Sequence, residues 1–167
     1  MVELDKQKDR KRAWAAAASV ADPEIPVLDI EDLGILRDVR IEDGKAIADL
    51  TPTYSGCPAV LAIEMEVEVA LRKAGFEPVI NRVFTPPWTT DWITPKGRAA
   101  LENYGIAAPL NAEADKAVLL EGKRLVSCPQ CSSTNTRMVS QFGSTACKAQ
   151  FQCDDCLEPF DYFKCLK

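Results

Sequence analysis

PAVLAIEMEVEVALRKA (residues 58–74) is the stretch whose reading decides the fold. Its centre, IEMEVEV (63–69), alternates apolar and acidic residues, which is the two-residue period of a half-buried strand. A helical period fits equally well, because Val60, Ile63, Val67, Ala70, Leu71 and Ala74 fall on one helical face. The ends favour the helix. Pro58 suits a first helical residue, and Gly75 suits the stop after Arg72-Lys73. Length agrees, since the run far exceeds the four to eight residues of an ordinary strand. A helix here leaves Leu61, Met65 and Val69 as a second apolar stripe. That stripe needs cover from the N-terminal helix or a partner subunit.

Outward from this helix the pattern is simple. LGILRDVRI (33–41) and AIADLTPTY (46–54) read as a hairpin around Asp43-Gly44, and FEPVINRVF (76–84) reads as a strand. Residues 4–20 are mostly good helix formers, ended by prolines at 23 and 26. Thr94-Pro95 opens a short helix that Gly105 closes. The order α-β-β-α-β-α predicts a small α/β (α+β) sandwich over residues 1–108. Residues 109–123 are Ala-rich and weakly patterned, so they read as a linker to a module at 124–167.

That module carries the strongest local signal. Cys128-Pro-Gln-Cys131 and Cys153-Asp-Asp-Cys156 are two C-x-x-C knuckles flanking a hairpin-length segment. Four thiolates so spaced converge tetrahedrally on one zinc, at about 2.3 Å each. Iron, an iron–sulfur cluster or disulfides are the competing occupancies. The tail is short, so metal binding would supply much of its folding energy. Cys147 and Cys165 are left over. They read either as buried small hydrophobes or as a second thiolate pair.

Composition removes several function classes. The chain has 167 residues, no histidine and a formal net charge of −5. Without histidine there is no His-activated nucleophile and no His-ligated di-iron or Rieske centre. The acidic balance argues against nucleic acid. The basic run Lys6–Arg12 reads as an exposed helix face or a patch for an acidic partner. No apolar run is long enough for a membrane span, and no signal peptide is apparent, so a cytoplasmic, thiol-reducing setting is expected.

Cys57 stands apart from the other six cysteines, where the chain leaves a strand through Gly56 and enters the helix at Pro58. A helix start favours thiolate and can draw a cysteine from about 8.5 toward roughly 3.5–7.5. The plain alternative is a small residue tucked against the sheet.

DPEIPVLDIEDLGILRDV (22–39), TPTYSGCP (51–58), PPWTTDWIT (86–94) and YGIAAP (104–109), followed by the CPQC, FGSTACK, CDDC and EPFDYFKC segments, resemble the PaaD family. Its members are D components of phenylacetyl-CoA epoxidase systems. The first half also resembles the SufT-like, MIP-type domain of iron–sulfur assembly factors. The resemblance implies a factor that matures an iron–sulfur protein, above all the ferredoxin-type reductase component, and that is not itself a turnover enzyme. It implies a transient iron or cluster site at Cys57, with Asp22, Glu24 and Thr51 assisting, while D-P-E also reads as a helix-stop turn and Thr51 as a strand end. Trp88, Asp91 and Trp92 would wall that site, contact a partner or plug the core. One cysteine cannot fill a cluster's coordination sphere, so a homodimer, a partner chain or a small thiol must complete it. A structural subunit of the epoxidase that handles no iron is the rival reading.

Overall fold

The computed structural model describes residues 2–164. The chain divides into two units, Met1–Trp88 and Thr89–Lys167, each with its own core.

In the first unit, helix α1 (Val2–Ala18) precedes strands β1 (Leu36–Glu42) and β2 (Lys45–Leu50), helix α2 (Ala59–Lys73) and strand β3 (Glu77–Arg82). Asp43 (φ 48°) and Gly44 (φ 77°) are both left-handed, as a two-residue primed hairpin turn requires, and they join β1 to β2 antiparallel. β3 then lies parallel to β2, a pairing that needs a crossover, and α2 supplies it. So 58–74 is helical, with Pro58 at the N-cap. Its buried face is Ala59, Ile63, Val67 and Leu71. Full burial of Val67 and Leu71 contributes roughly 1.5–3 kcal/mol each.

α1 packs on the sheet through Ala13 and Ala17. Two residues of its basic run work inward rather than forming an open patch. Arg10 donates to the Val39 carbonyl (2.8 Å) and to Asp38 (2.9 Å). Arg12 donates to the Ala74 carbonyl (2.9 Å) and lies over the Phe76 ring. α1 leaves the second stripe of α2 uncovered: Leu61, Met65 and Val69 are 66%, 67% and 41% exposed.

The second unit begins with a short 3-10 turn (Thr90–Trp92) and helix α3 (Pro95–Asn103), whose Thr94 side chain accepts from Gly97 N at 3.0 Å. Strand β4 (Ile106–Ala107), helix α4 (Ala112–Glu121) and strands β5 (Thr136–Ser140), β6 (Lys148–Cys153) and β7 (Pro159–Phe163) follow. The sheet order is β4-β7-β6-β5. The expected order α-β-β-α-β-α is present, although its last helix belongs to this second unit.

The boundary at 108 and the linker at 109–123 are corrected. Residues 112–121 form α4, capped by Asn111 accepting from Ala114 N (2.8 Å) and closed by left-handed Gly122. Val118 and Val126 join Phe151, Phe160 and Tyr162 in one core, so the tail has more packing of its own than its length suggests. Asp115 of α4 is buried and accepts hydrogen bonds from Tyr162, from Thr90 Oγ1 (3.2 Å) and from Leu110 N (3.2 Å). Burial raises its carboxyl above the usual range despite those donors.

Candidate functional site

Two sites emerge, one in each unit. In the second, each knuckle turns on a residue with positive φ just after its second cysteine, Ser132 (61°) and Leu157 (64°). Ser132 N donates to the Cys128 carbonyl (2.8 Å), and Cys153 N donates to the Glu158 carbonyl (3.0 Å). These turns aim the sulfurs inward. All four Sγ atoms lie within 4.8 Å of one another, with Cys128–Cys156 at 3.7 Å and Cys131–Cys153 at 3.6 Å. A tetrahedral ion at about 2.3 Å from each thiolate sets neighbouring sulfurs about 3.8 Å apart, whereas a disulfide needs about 2.05 Å. The residues fit a metal, and disulfide pairing is excluded by distance. Cys128 and Cys153 are buried while Cys131 and Cys156 are exposed. The Cys156 N–H, opposed by desolvation and helped by the Asp155 N–H, lowers the Cys153 thiol to about 7.

Sequence spacing missed what ties the knuckles together. Asp155, inside the second knuckle, accepts from Ser133 Oγ and from Asn135 Nδ2 (2.8 Å), both just beyond the first. These bonds hold the Asp155 carboxyl below the usual range. Arg137 adds a bond to Asp154 at 3.0 Å. The signal was available as small polar residues immediately after CPQC facing CDDC.

Cys147 is buried with Thr145 Oγ1 3.1 Å from its sulfur, and it is not part of the metal cluster. The Cys165 reading lies outside the described residues.

The first unit's site sits where β2 hands over to α2. Cys57 is half-buried beside a cavity of about 20 Å³ whose lining includes Asp22, Thr53, Val60 and Arg82. That volume admits a single water-sized occupant. Asp22 Oδ1 accepts from Glu24 N and Ile25 N, both at 2.8 Å, so D-P-E is a self-capped turn placed beside the thiol.

The expectation of a depressed thiol is overturned. Burial pushes the Cys57 thiol up; the Ala59 N–H at the helix start pulls it down, but the Glu24 and Asp22 carboxylates push it up again. Tyr54 supplies the side-chain hydrogen bond to the sulfur. Thr51 is buried just past β2, where its N–H donates to the Ile35 carbonyl (2.8 Å). Tyr54 and Arg82 were therefore missed. Arg82 closes the cavity while clamped by Glu64 through bonds of 2.7 and 2.8 Å.

Among the described residues, no three Cys, Asp or Glu ligand atoms other than the four tail thiols converge. Cys57, Asp22 and Glu24 thus form an acidic thiol site without a closed ligand set. Trp88 is a core plug rather than a wall of this site, with its Nε1 donating to the Leu33 carbonyl (2.8 Å). Asp91 and Trp92 lie in the second unit, where Asp91 N bonds Thr89 Oγ1 at 3.4 Å.

Comparison with known proteins follows the same division. Residues 10–78 match the family model described as iron–sulfur cluster assembly protein, and residues 112–164 match the PaaD zinc beta ribbon domain. The D component of the 1,2-phenylacetyl-CoA epoxidase of Escherichia coli K12 is 46% identical over 154 residues, covering 92% of this chain and 91% of that protein. The Fe-S protein maturation auxiliary factor SufT of Staphylococcus aureus is 34% identical over 85 residues, 49% of this chain and 96% of its own length. The crystal structure of the DUF59 domain of unknown function from Bacillus anthracis superposes with a TM-score of 0.55 at 27% identity, over 59% of this chain and 96% of that one. No helix among the described residues is long and apolar enough to cross a membrane. An assembly-type unit with a lone acidic thiol site, followed by a four-cysteine ribbon, runs through one relative along nearly its whole length, and the chain belongs to the PaaD family.

Proposed function

We propose that this chain matures an iron–sulfur component of the phenylacetyl-CoA epoxidase, namely its ferredoxin-type reductase, and acts as an accessory factor rather than a turnover enzyme. The observation that carries this reading is the Cys57 site: a half-buried thiol beside two carboxylates, in the half of the chain that matches iron–sulfur assembly proteins. Carboxylates that resist ionisation of the thiol favour an incoming cation, so ferrous iron or a cluster edge displaces the thiol proton. Cys57 then serves as one ligand. The client or a second copy of the chain supplies the others.

The ribbon cysteines hold zinc in a structural role, which four convergent thiolates with no open position favour. Zinc there fixes the knuckles. Cys128, Cys131, Cys153 and Cys156 would hold it, with Asp155, Ser133 and Asn135 orienting the turns.

The test is anaerobic purification of wild type and Cys57→Ser, with zinc, iron and labile-sulfide analysis before and after loading. The expected result is one zinc in both proteins, with iron and sulfide bound by the wild type alone. If neither protein takes iron, and Cys57→Ser still supports a fully loaded reductase, the maturation reading fails and the chain is a structural subunit.

A further inference from the structure

The exposed face of α2 is an unexplained feature of the first unit. Leu61, Met65 and Val69 stand at i, i+4 and i+8, so they form one continuous line along the helix. At 66%, 67% and 41% exposure, this line is where a monomeric helix would ordinarily carry polar groups. Val69 also borders a groove of about 600 Å³ between α1 and α2, floored by the small residues Ala16, Ala70 and Ala74. A shallow floor beside a ridge of larger apolar side chains is the shape that receives an amphipathic helix.

Charge decides which helix. By helical spacing, exposed Glu66 flanks the stripe on one side and exposed Glu68 on the other. A second copy laid stripe on stripe about a two-fold at Met65 sets Glu66 against Glu66 when antiparallel. When the two helices run parallel, Glu66 meets Glu68. Both arrangements place like charges across an interface, which disfavours that partner. A partner with Lys or Arg on both sides of its apolar residues meets the glutamates with opposite sign.

We propose that this face of α2 docks an amphipathic helix of a partner protein whose apolar residues are flanked by Lys and Arg. The surface starts one helical turn beyond Cys57 and stands whether or not that thiol carries iron.

Two synthetic helical peptides with the same apolar residues, one flanked by lysines and the other by glutamates, serve as probes against the full-length protein in fluorescence anisotropy. The lysine-flanked peptide is expected to bind at least about tenfold more tightly, and to weaken as salt rises. Leu61→Ala/Met65→Ala should lose at least about tenfold of that affinity, and Glu66→Lys/Glu68→Lys should invert the preference between peptides. Both variants alter exposed side chains, so circular dichroism and metal content should match the wild type. Equal binding of the two peptides, no binding of either, or indifference to both variants overturns the proposal. So does a concentration-dependent dimer in sedimentation that Met65→Glu abolishes, because the occupant would then be a second copy.

Discussion

Cys57 is held as a neutral thiol by its surroundings. Its ionisation is disfavoured in the folded chain, so its contribution to stability is fully present below the unfolded thiol value of about 8.5 and is lost as pH rises through the raised folded value. The metal-free protein should therefore lose stability above about pH 8.5, and Cys57→Ser should flatten that limb of a denaturation-versus-pH series. Removing one charge gives a sharper check. Glu24→Gln lowers the thiol's ionisation point, so alkylation of Cys57 by iodoacetamide at pH 8 should run a few-fold faster than in wild type. An unchanged rate would mean that the carboxylate does not act on the sulfur. At Asp115 the argument concerns hydrogen bonds instead. Tyr162→Phe strips a donor from a buried carboxyl and should cost about 1–3 kcal/mol in urea denaturation. Individual residue roles were the least legible part of the sequence. The helix-start argument for Cys57 was sound but incomplete, because burial and the folding-back of D-P-E onto the thiol are tertiary facts.

Among the elements, those that read correctly carried their instructions locally. α2 had a proline, a glycine and a length, and the hairpin had Asp43-Gly44, each sufficient without knowledge of the rest of the chain. α4 did not. Its alanines and single buried Asp115 show almost no periodic pattern, and its helix is explained by Asn111 and Gly122 at the ends and by Tyr162, remote in sequence, along one side. The knuckles lie between these cases. C-x-x-C spacing placed the four thiols, but the clamp from Ser133 and Asn135 to Asp155 depends on how the hairpin closes. Asp155→Ala should leave the fold in place while weakening metal affinity about 10–100-fold in a competition titration with a chromogenic chelator. Retention of full affinity would show that the clamp is decoration.

At the scale of the whole molecule, two units with separate cores should respond separately to metal removal. The second unit has Phe151 stacked on Phe160 and edge-on to Tyr162, with α4 packed against them, so apoprotein should keep partial order there. Chelation should accelerate amide exchange through residues 124–158 and leave α2 and β1–β3 at their original rates. Uniform acceleration across both units would mean that they fold as one. The division also explains why the domain boundary was misplaced. Helix α3 follows the first sheet in sequence, yet β4, its neighbour in the chain, pairs with β7 of the ribbon, and this long-range pairing draws the segment into the second unit. In each knuckle the first cysteine is buried and the second is exposed. An ion seated there has an inner pair of sulfurs shielded by the core and an outer pair facing water. Its departure is therefore directional: protons or a thiol-seeking reagent reach Cys131 and Cys156 first, and Cys128 and Cys153 keep hold of a half-released ion that can still return.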